Sequence, residues 1–376
     1  MDAEDNEDVI TDGGGLDVVT VVAVVLMIGV LGRRRRAPIP QHVSILTGQL
    51  YYTEVMESPN RNKFRVVARM DKATLTSLLD LLMVDGALQA SQMICAGQKL
   101  MIFISALTGL SNRLVAERWQ HSGSTISLIT HEVAESFKLC RELLFQRPKI
   151  TDPTPWEISS NLRRFPFFSD CIGALDGTMI PAIVPLNESE LFRNRKRVIA
   201  QNVLAVANFD LTFSYALTGW EGSAHDGKVL ADAKTKGLII YPGKYYLGDA
   251  GYALSSTCLT PYRGVRYHLK EIGRAGEVPR NMKELFNMRH SSLRNVIERI
   301  FGVCKRRFPL LVKMNSFEFT FQCTLVNCAF MIHNFIHLNQ KYEDVFYIID
   351  ENRPEDADEE DEVEAVPEVI ANALNQ

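Results

Sequence analysis

The sequence is poor in cysteine, and none of it is spaced for cross-linking. The seven cysteines (Cys95, Cys140, Cys171, Cys258, Cys304, Cys323, Cys328) form no C-x-x-C pair and sit mostly among apolar neighbours. That pattern excludes a disulfide framework and fits reduced core thiols in an intracellular protein. Cys323 and Cys328 lie near His333 and His337, but residues 321–335 read as one buried helix, which disfavours a zinc site. No internal repeat is present, so repeat architectures are excluded. An apolar run of membrane-spanning length is also missing. Residues 18–31 are apolar apart from Thr20 and Gly29, yet the run is shorter than the ~20 residues a spanning helix needs. The arginines at 33–36 follow that run, whereas a secretory signal puts its positive residues first. A marginal anchor with the arginines on the cytoplasmic side is the minor reading; nuclear import or nucleic-acid contact are the others.

Basic residues are absent from the first 17 positions, which hold seven acids. Residues 343–376 hold thirteen acids and only Arg353. Setting those ends aside turns the chain's 41 basic and 45 acidic residues into 40 and 25. A formal net charge of −4 therefore conceals a body of about +15, which suits a polyanion binder. The acidic end from 351 reads as disordered, and it serves either solubility or interaction.

The organisation is an N-terminal tail (1–42), a helical region (43–150), an α/β region (165–338) and the acidic tail (343–376). In the helical region, Asp71 is a plausible N-cap for a helix through Met83 that carries Leu75, Leu78, Leu79 and Leu82 on one stripe. Residues 99–107 form another apolar helix. Residues 111–119 and 124–137, separated by His121-Ser122-Gly123, fit a helix-turn-helix, with Ser111 and Ser124 as N-caps and Ser127, Thr130 and His131 off the apolar face. The second helix offers no Lys or Arg before Lys138, so two readings stand: DNA recognition, or a helical packing module that shapes or dimerises the enzyme.

Beyond a proline-containing connector (147–164), the pattern changes to strands at 171–175, 179–184, 201–209 and 212–220. Gly177-Thr178 and Asp210-Leu211 are the expected hairpin turns. A helix (226–236), a fifth strand (245–248) and a long helix (292–308) follow. Together they predict an α/β sheet of the ribonuclease-H type behind a small all-helical domain.

Asp176 and Asp249 each end an apolar strand beside glycine, which would present both carboxylates at the rim of the sheet. Two close carboxylates resist ionising together unless a cation compensates, and a hard, oxygen-seeking ion such as Mg²⁺ or Mn²⁺ suits them. On the last helix Leu293, Val296, Ile297, Ile300 and Phe301 form part of an apolar stripe. Glu298 falls just outside it, on the flank of Arg294 and Lys305, where those bases would face phosphate. Alone, Glu298 would be a surface acid paired with Arg294. Beside the two aspartates it becomes a third metal ligand. Asp226 reads equally as a ligand or as the N-cap of the helix it opens. His225, His268 and His290 read as neutral structural histidines.

The segments GALDGT, FRNRKRVIAQNVLAVANFD, GWEGSAHDGKVL, YYLGDAGY, TPYRGVRYHL and RHSSLRNVIERIFGVCKRRFP closely resemble PIF/Harbinger-type DDE transposases and Harbinger transposase-derived nucleases. The resemblance covers about residues 60–337 and is densest over 170–310. It implies that Asp176, Asp249 and Glu298 are the catalytic metal-binding DDE set, with Asp226 a further candidate, and that Mg²⁺ or Mn²⁺ is the cofactor. It implies two-metal hydrolysis or strand transfer on DNA, in the nucleus. Arg193, Arg195, Lys196 and Arg197 are the first candidates for DNA phosphates, with Arg294 and Lys305 at the metal edge and Arg263, Arg266, Arg306 and Arg307 behind. A Myb/SANT-like DNA-binding protein and a second copy of the chain are candidate partners. Met179 stands where the family usually has His after GALDGT, so an imidazole near the site is lost while the acidic set is intact. A domesticated, non-catalytic DNA- or chromatin-binding protein is the alternative reading.

Overall fold

A computed structural model describes residues 17–31, 40–84, 87–265 and 279–340. The arginines at 33–36, Arg266, His268 and the acidic tail lie outside the described residues. The chain divides at Val43/Ser44 into two units. The first contains α1 (Val18–Leu31), whose first turn is capped by Asp17 Oδ1 accepting from Thr20 N at 2.7 Å. Fourteen residues make a helix of about 21 Å, short of a ~30 Å hydrocarbon core.

The second unit opens with helices α2 (Gly48–Glu57), α3 (Arg61–Ala68), α4 (Lys72–Met83), α5 (Ala96–Leu107), α6 (Asn112–Trp119) and α7 (Gly123–Leu139). Helix α5 is buried along its whole length, so the others pack around it. Their starts follow local chemistry. Thr47, Asn60 and Ser111 accept backbone N–H groups at the N-termini of α2, α3 and α6. At α7 that role belongs to Ser122, which accepts from Thr125 N at 3.2 Å; Ser124 is already inside the helix. Asp71 occupies the N-cap position of α4 but makes no capping bond, because its carboxylate pairs with Arg65. Thr130, expected off the packed face, is buried and donates to Ile126 O at 2.7 Å.

After the short helices α8 (Arg141–Leu144) and α9 (Trp156–Ser159) comes a mixed five-stranded sheet in the order β3-β2-β1-β4-β5. Its strands are β1 (Cys171–Pro181), β2 (Ala200–Ala207), β3 (Phe213–Glu221), β4 (Tyr245–Leu247) and β5 (Cys258–Leu259). β1–β2 and β2–β3 are antiparallel, while β1–β4 and β4–β5 are parallel. The expected turn at Gly177-Thr178 is absent. Residues 171–181 form one strand, with Gly177 and Thr178 paired to Leu204 and Val203. The other expected turn holds, with Asp210 accepting from Thr212 N and Leu211 in the left-handed region (φ 64°).

Helix α10 (Asp226–Thr235) covers one face of the sheet, against Leu175, Leu204, Val206 and Tyr215. Helices α11 (Met282–Arg307) and α12 (Phe319–Asn339) cover the other, and their core is continuous with that of α2–α7. Among the described residues, α12 is the one helix long and apolar enough to cross a membrane, but it is a core helix, 72% buried in its most apolar window. It also closes the outer edge of β3. Asn334, fully buried, accepts from Phe213 N and donates to Phe213 O, both at 2.7 Å, and donates to Leu144 O at 2.8 Å. At this end of β3 the backbone is therefore not open to pairing with another strand.

Asn334→Ala would strand a buried Phe213 N–H and cut the bond to the helical half, so we expect stability to fall by about 2–4 kcal/mol. Urea unfolding followed by circular dichroism and by tryptophan fluorescence measures this. One shared transition is expected, since the two halves share a core; two separated transitions would contradict it.

Candidate active site

Strand register brings the two aspartates level. In the parallel β1–β4 pair Ala174 stands opposite Leu247, the last paired residues; continued two residues further that register would set Asp249 level with Asp176, and the Asp249 charge does act on the Asp176 carboxyl. Asp176 therefore lies mid-strand and not at a strand end, because β1 runs on to Pro181. Asp249 does follow the end of its strand, in a turn where its Oδ1 accepts from Gly251 N at 2.9 Å.

Helix α11 supplies the third acid and two bases. It starts ten residues earlier than the sequence pattern indicates, at Met282, where Asn281 accepts from Lys283 N and Glu284 N. Its buried Arg294 donates through Nη1 to Asp176 Oδ2 at 2.9 Å and through Nη2 to Glu298 Oε1. One guanidinium thus ties the strand acid to the helix acid. Further along, Lys305 Nζ donates to Thr178 Oγ1 at 2.8 Å. Side chains alternate across a strand, so Asp176 and Thr178 share the α11 face of β1. Arg294 and Lys305, expected to face DNA phosphate, are engaged by the protein itself: one guanidinium arm reaches the sheet, the other the next turn of α11, and the part-buried amine reaches Thr178.

Asp226 sits elsewhere. It is the first residue of α10 and not its cap; the cap is His225, whose Nδ1 accepts from Gly227 N at 3.1 Å. Asp226 Oδ1 accepts from Asn202 Nδ2 at 2.9 Å. It also lies over Gly177, where a Cβ would come within 2.8 Å of it and within 3.1 Å of Asn202 Oδ1. Gly177 faces away from Asp176, so the Asp226 carboxylate is on the opposite side of β1 from Arg294. Asn202 was not singled out from sequence, although an amide inside the apolar run of β2 is a usable signal.

Of the basic cluster, Arg195, Lys196 and Arg197 are exposed at the tip of the loop joining β1 to β2, with Arg197 in the left-handed region (φ 62°). Asn194 Oδ1 shapes the tip by accepting from Lys196 N and Val198 N. Arg193 is turned back onto Glu190 and Arg197 O. His290 is buried and bonded through Nε2 to Leu259 O at 2.9 Å; burial pushes it down to about 4, so it is neutral at pH 7.

Residues 175–334 match the family described as DDE superfamily endonuclease. This stretch is a DDE superfamily endonuclease domain. Residues 43–138 match a family described as a domain of unknown function (DUF8040). Protein ALP1-like from Arabidopsis thaliana is 26% identical over 227 residues, 54% of this chain and 51% of that protein. The chain thus spans about half the length of that curated relative. No solved structure matches.

Within the endonuclease domain the acid edge carries an uncompensated negative charge. Burial raises the Asp176 carboxyl to about 6; Arg294 works against that and Asp249 adds to it. Among the described residues no three His, Cys, Asp or Glu side chains stand together as a ready metal cluster. The donor chemistry nevertheless fits a hard divalent cation, because the groups are oxygen-only and mutually repelling. The buried Tyr252 hydroxyl, which has no hydrogen-bond partner, stands in the field of Asp176, Asp226 and Asp249. An orphaned polar group beside three acids is what a site completed by a cation and its water leaves behind. In the metal-free state Arg294 supplies part of that positive charge.

Arg294→Met should destabilise the metal-free domain by about 1–3 kcal/mol at pH 7, since it leaves Asp176 buried without its partner. The sign with pH follows from the raised carboxyl. Between 3.8 and about 6 the folded state holds more protons than the unfolded one, so stability falls as pH rises through that window. Without Arg294 the carboxyl rises further and the fall extends to higher pH. The loss on substitution should therefore be larger at pH 8 than at pH 5 in denaturant titrations; an equal loss at both would count against the pairing.

Proposed function

We propose that the chain is a divalent-metal-dependent DNA endonuclease related to transposases, cleaving phosphodiester bonds with Asp176, Asp249 and Glu298. What supports this reading, inside a stretch that matches the DDE superfamily endonuclease family, is an Asp on the central strand that Arg294 ties to a helix Glu and that feels the charge of an Asp just past the neighbouring parallel strand. Three antiparallel strands, a helix and two parallel strands support a ribonuclease-H-like core.

Asp176 and Asp249 would hold Mg²⁺ or Mn²⁺ in common, with Glu298 completing the set once Arg294 yields it. When bound, the metal supplies activation of the attacking oxygen and neutralisation of the leaving one. Asp226 takes a supporting part: it fixes Asn202 and closes over Gly177, holding the strand that carries Asp176. Arg195, Lys196 and Arg197 would contact DNA phosphates, adding salt-dependent, sequence-independent affinity. The nucleus as destination, a Myb/SANT-like partner and self-association belong to the same reading.

A specific observation favours a second reading, a DNA- or chromatin-binding protein without catalysis: Arg294 already pairs with both Asp176 and Glu298. Nicking of terminal-repeat DNA separates the two. With Mg²⁺ or Mn²⁺ the wild type should nick, and Asp249→Ala should lose at least about a hundredfold, the scale of removing one preorganised electrostatic group. Metal-dependent binding without cleavage would move the assignment to the second reading. In the same binding assay, replacing Arg195, Lys196 and Arg197 together by Ala should lower the slope of log affinity against log salt by about 2–3. An unchanged slope would remove that loop from the DNA interface.

A further inference from the structure

The turn carrying Asp249 leads into Tyr252, which borders a cavity of about 480 Å³ also lined by Leu254, Leu259, Tyr262 and Phe286. Hydrogen bonds hold the turn. Arg263 donates through Nε to Ala250 O at 3.1 Å and through Nη2 to Tyr252 O at 3.3 Å. Those carbonyls lie one and three residues past Asp249. The loop bearing Arg263 is in turn fastened to α11. The fully buried Asn287 accepts from Tyr262 N at 2.8 Å and donates to Tyr262 O at 3.1 Å, as a paired strand would, and His290 holds Leu259 O one turn further on. Asn287 and Glu298 are on the same helix. A run of hydrogen bonds therefore leads from the helix that bears Glu298, through Asn287 and Arg263, to the turn that bears Asp249.

We propose that Arg263, seated by Asn287, is a positioning residue that fixes the Asp249 turn relative to the Glu298 helix. The assignment deepens the metal-nuclease reading and rests on it. It replaces the sequence expectation that Arg263 contacts DNA phosphate. Two fork nitrogens aimed at two carbonyls of one turn are a geometry that arginine makes and lysine does not.

The test uses the full chain with Arg263→Met and Arg263→Lys. In metal-free protein, the Gly251 and Tyr252 amides should exchange with deuterium at least ~10-fold faster in both variants, while distant core amides are unchanged. Mn²⁺ affinity, measured by calorimetry, should fall about 10–100-fold in both, the usual cost of losing a group that orients a metal ligand. The salt slope of DNA binding should stay at the wild-type value. A phosphate-contact role predicts the reverse: unchanged exchange, a slope lowered by about 1 in Arg263→Met, and rescue by lysine. That outcome would overturn the proposal. Asn287→Ser is the second variant; it should speed exchange of the Tyr262 amide as well as those of the Asp249 turn, and confinement of the change to Tyr262 would also refute it. If the wild type takes up no Mn²⁺, the nuclease reading fails, while the exchange data still decide whether Arg263 holds the turn.

Discussion

Parallel pairing of β1 with β4 sets the separation of Asp176 and Asp249, and that pairing contains an irregularity. Cys171 stands opposite Tyr245, but it is Gly173, and not Ile172, that stands opposite Tyr246. The extra residue shifts the register by one. Without it, Asp249 would come level with Leu175, whose side chain points into the α10 face, and a one-residue slip sends a side chain to the wrong side of the sheet. With it, Asp249 meets Asp176 on the side that α11 serves. Gly173 permits the shift, because a Cβ there would lie 2.2 Å from Ala207 O. The bulge is thus part of the site, although it carries no functional group.

Bringing acids together in a half-buried place raises a charge problem, and the fold answers it with Arg294. Asp176 is held up to about 6 by burial and by Asp249, and it is Arg294 that keeps it from rising further. The same guanidinium holds Glu298, which is otherwise half exposed and free to choose other rotamers. A pair of this kind has a double consequence. It preserves the arrangement of the acids in the absence of metal, and it makes the arginine a competitor for the charge that metal would neutralise. Metal binding on these acids would require the Arg294–Glu298 contact to be exchangeable, which suits a pair one helical turn apart whose acid is half exposed.

The parts of the fold written in local patterns were legible in the sequence. Apolar runs gave the strands, and capping residues with 3.6-residue periodicity gave the helices. Asp176, Asp249 and Glu298 stood out because acids bordering apolar elements are unusual, and the family resemblance named the same three. Misreadings came where a residue's meaning depends on tertiary contacts. Gly177-Thr178 has turn composition but is strand, since Gly177 is needed for the close approach of Asp226 and Asn202 across the sheet. Asp226 has the composition of a cap but faces Asn202, and the neighbouring His225 does the capping. Arg263, Arg294 and Lys305 are cations whose partners lie far away in the chain, at Ala250, Asp176 and Thr178, and a charge pattern does not distinguish an inward-turned base from a phosphate contact.

That distinction bears on where DNA contact would fall. Helix α7, the candidate recognition helix, packs against the core through Ile126, Ile129, Val133, Ala134 and Phe137. Its outer face offers exposed Leu128, His131 stacked on the Phe321 ring at 3.7 Å, and Lys138 already paired with Glu135. Of these only Lys138 is a lysine or arginine that could meet a phosphate, and its amine is paired with Glu135. With Arg263, Arg294 and Lys305 engaged by the protein's own groups, the exposed basic run Arg195, Lys196 and Arg197 stands on a loop that leaves the sheet at Pro181 and returns at Ala200. β1 covers about 17 Å between Asp176 and that end. Contacts so placed would grip the DNA backbone at a distance from the acids and carry no sequence information.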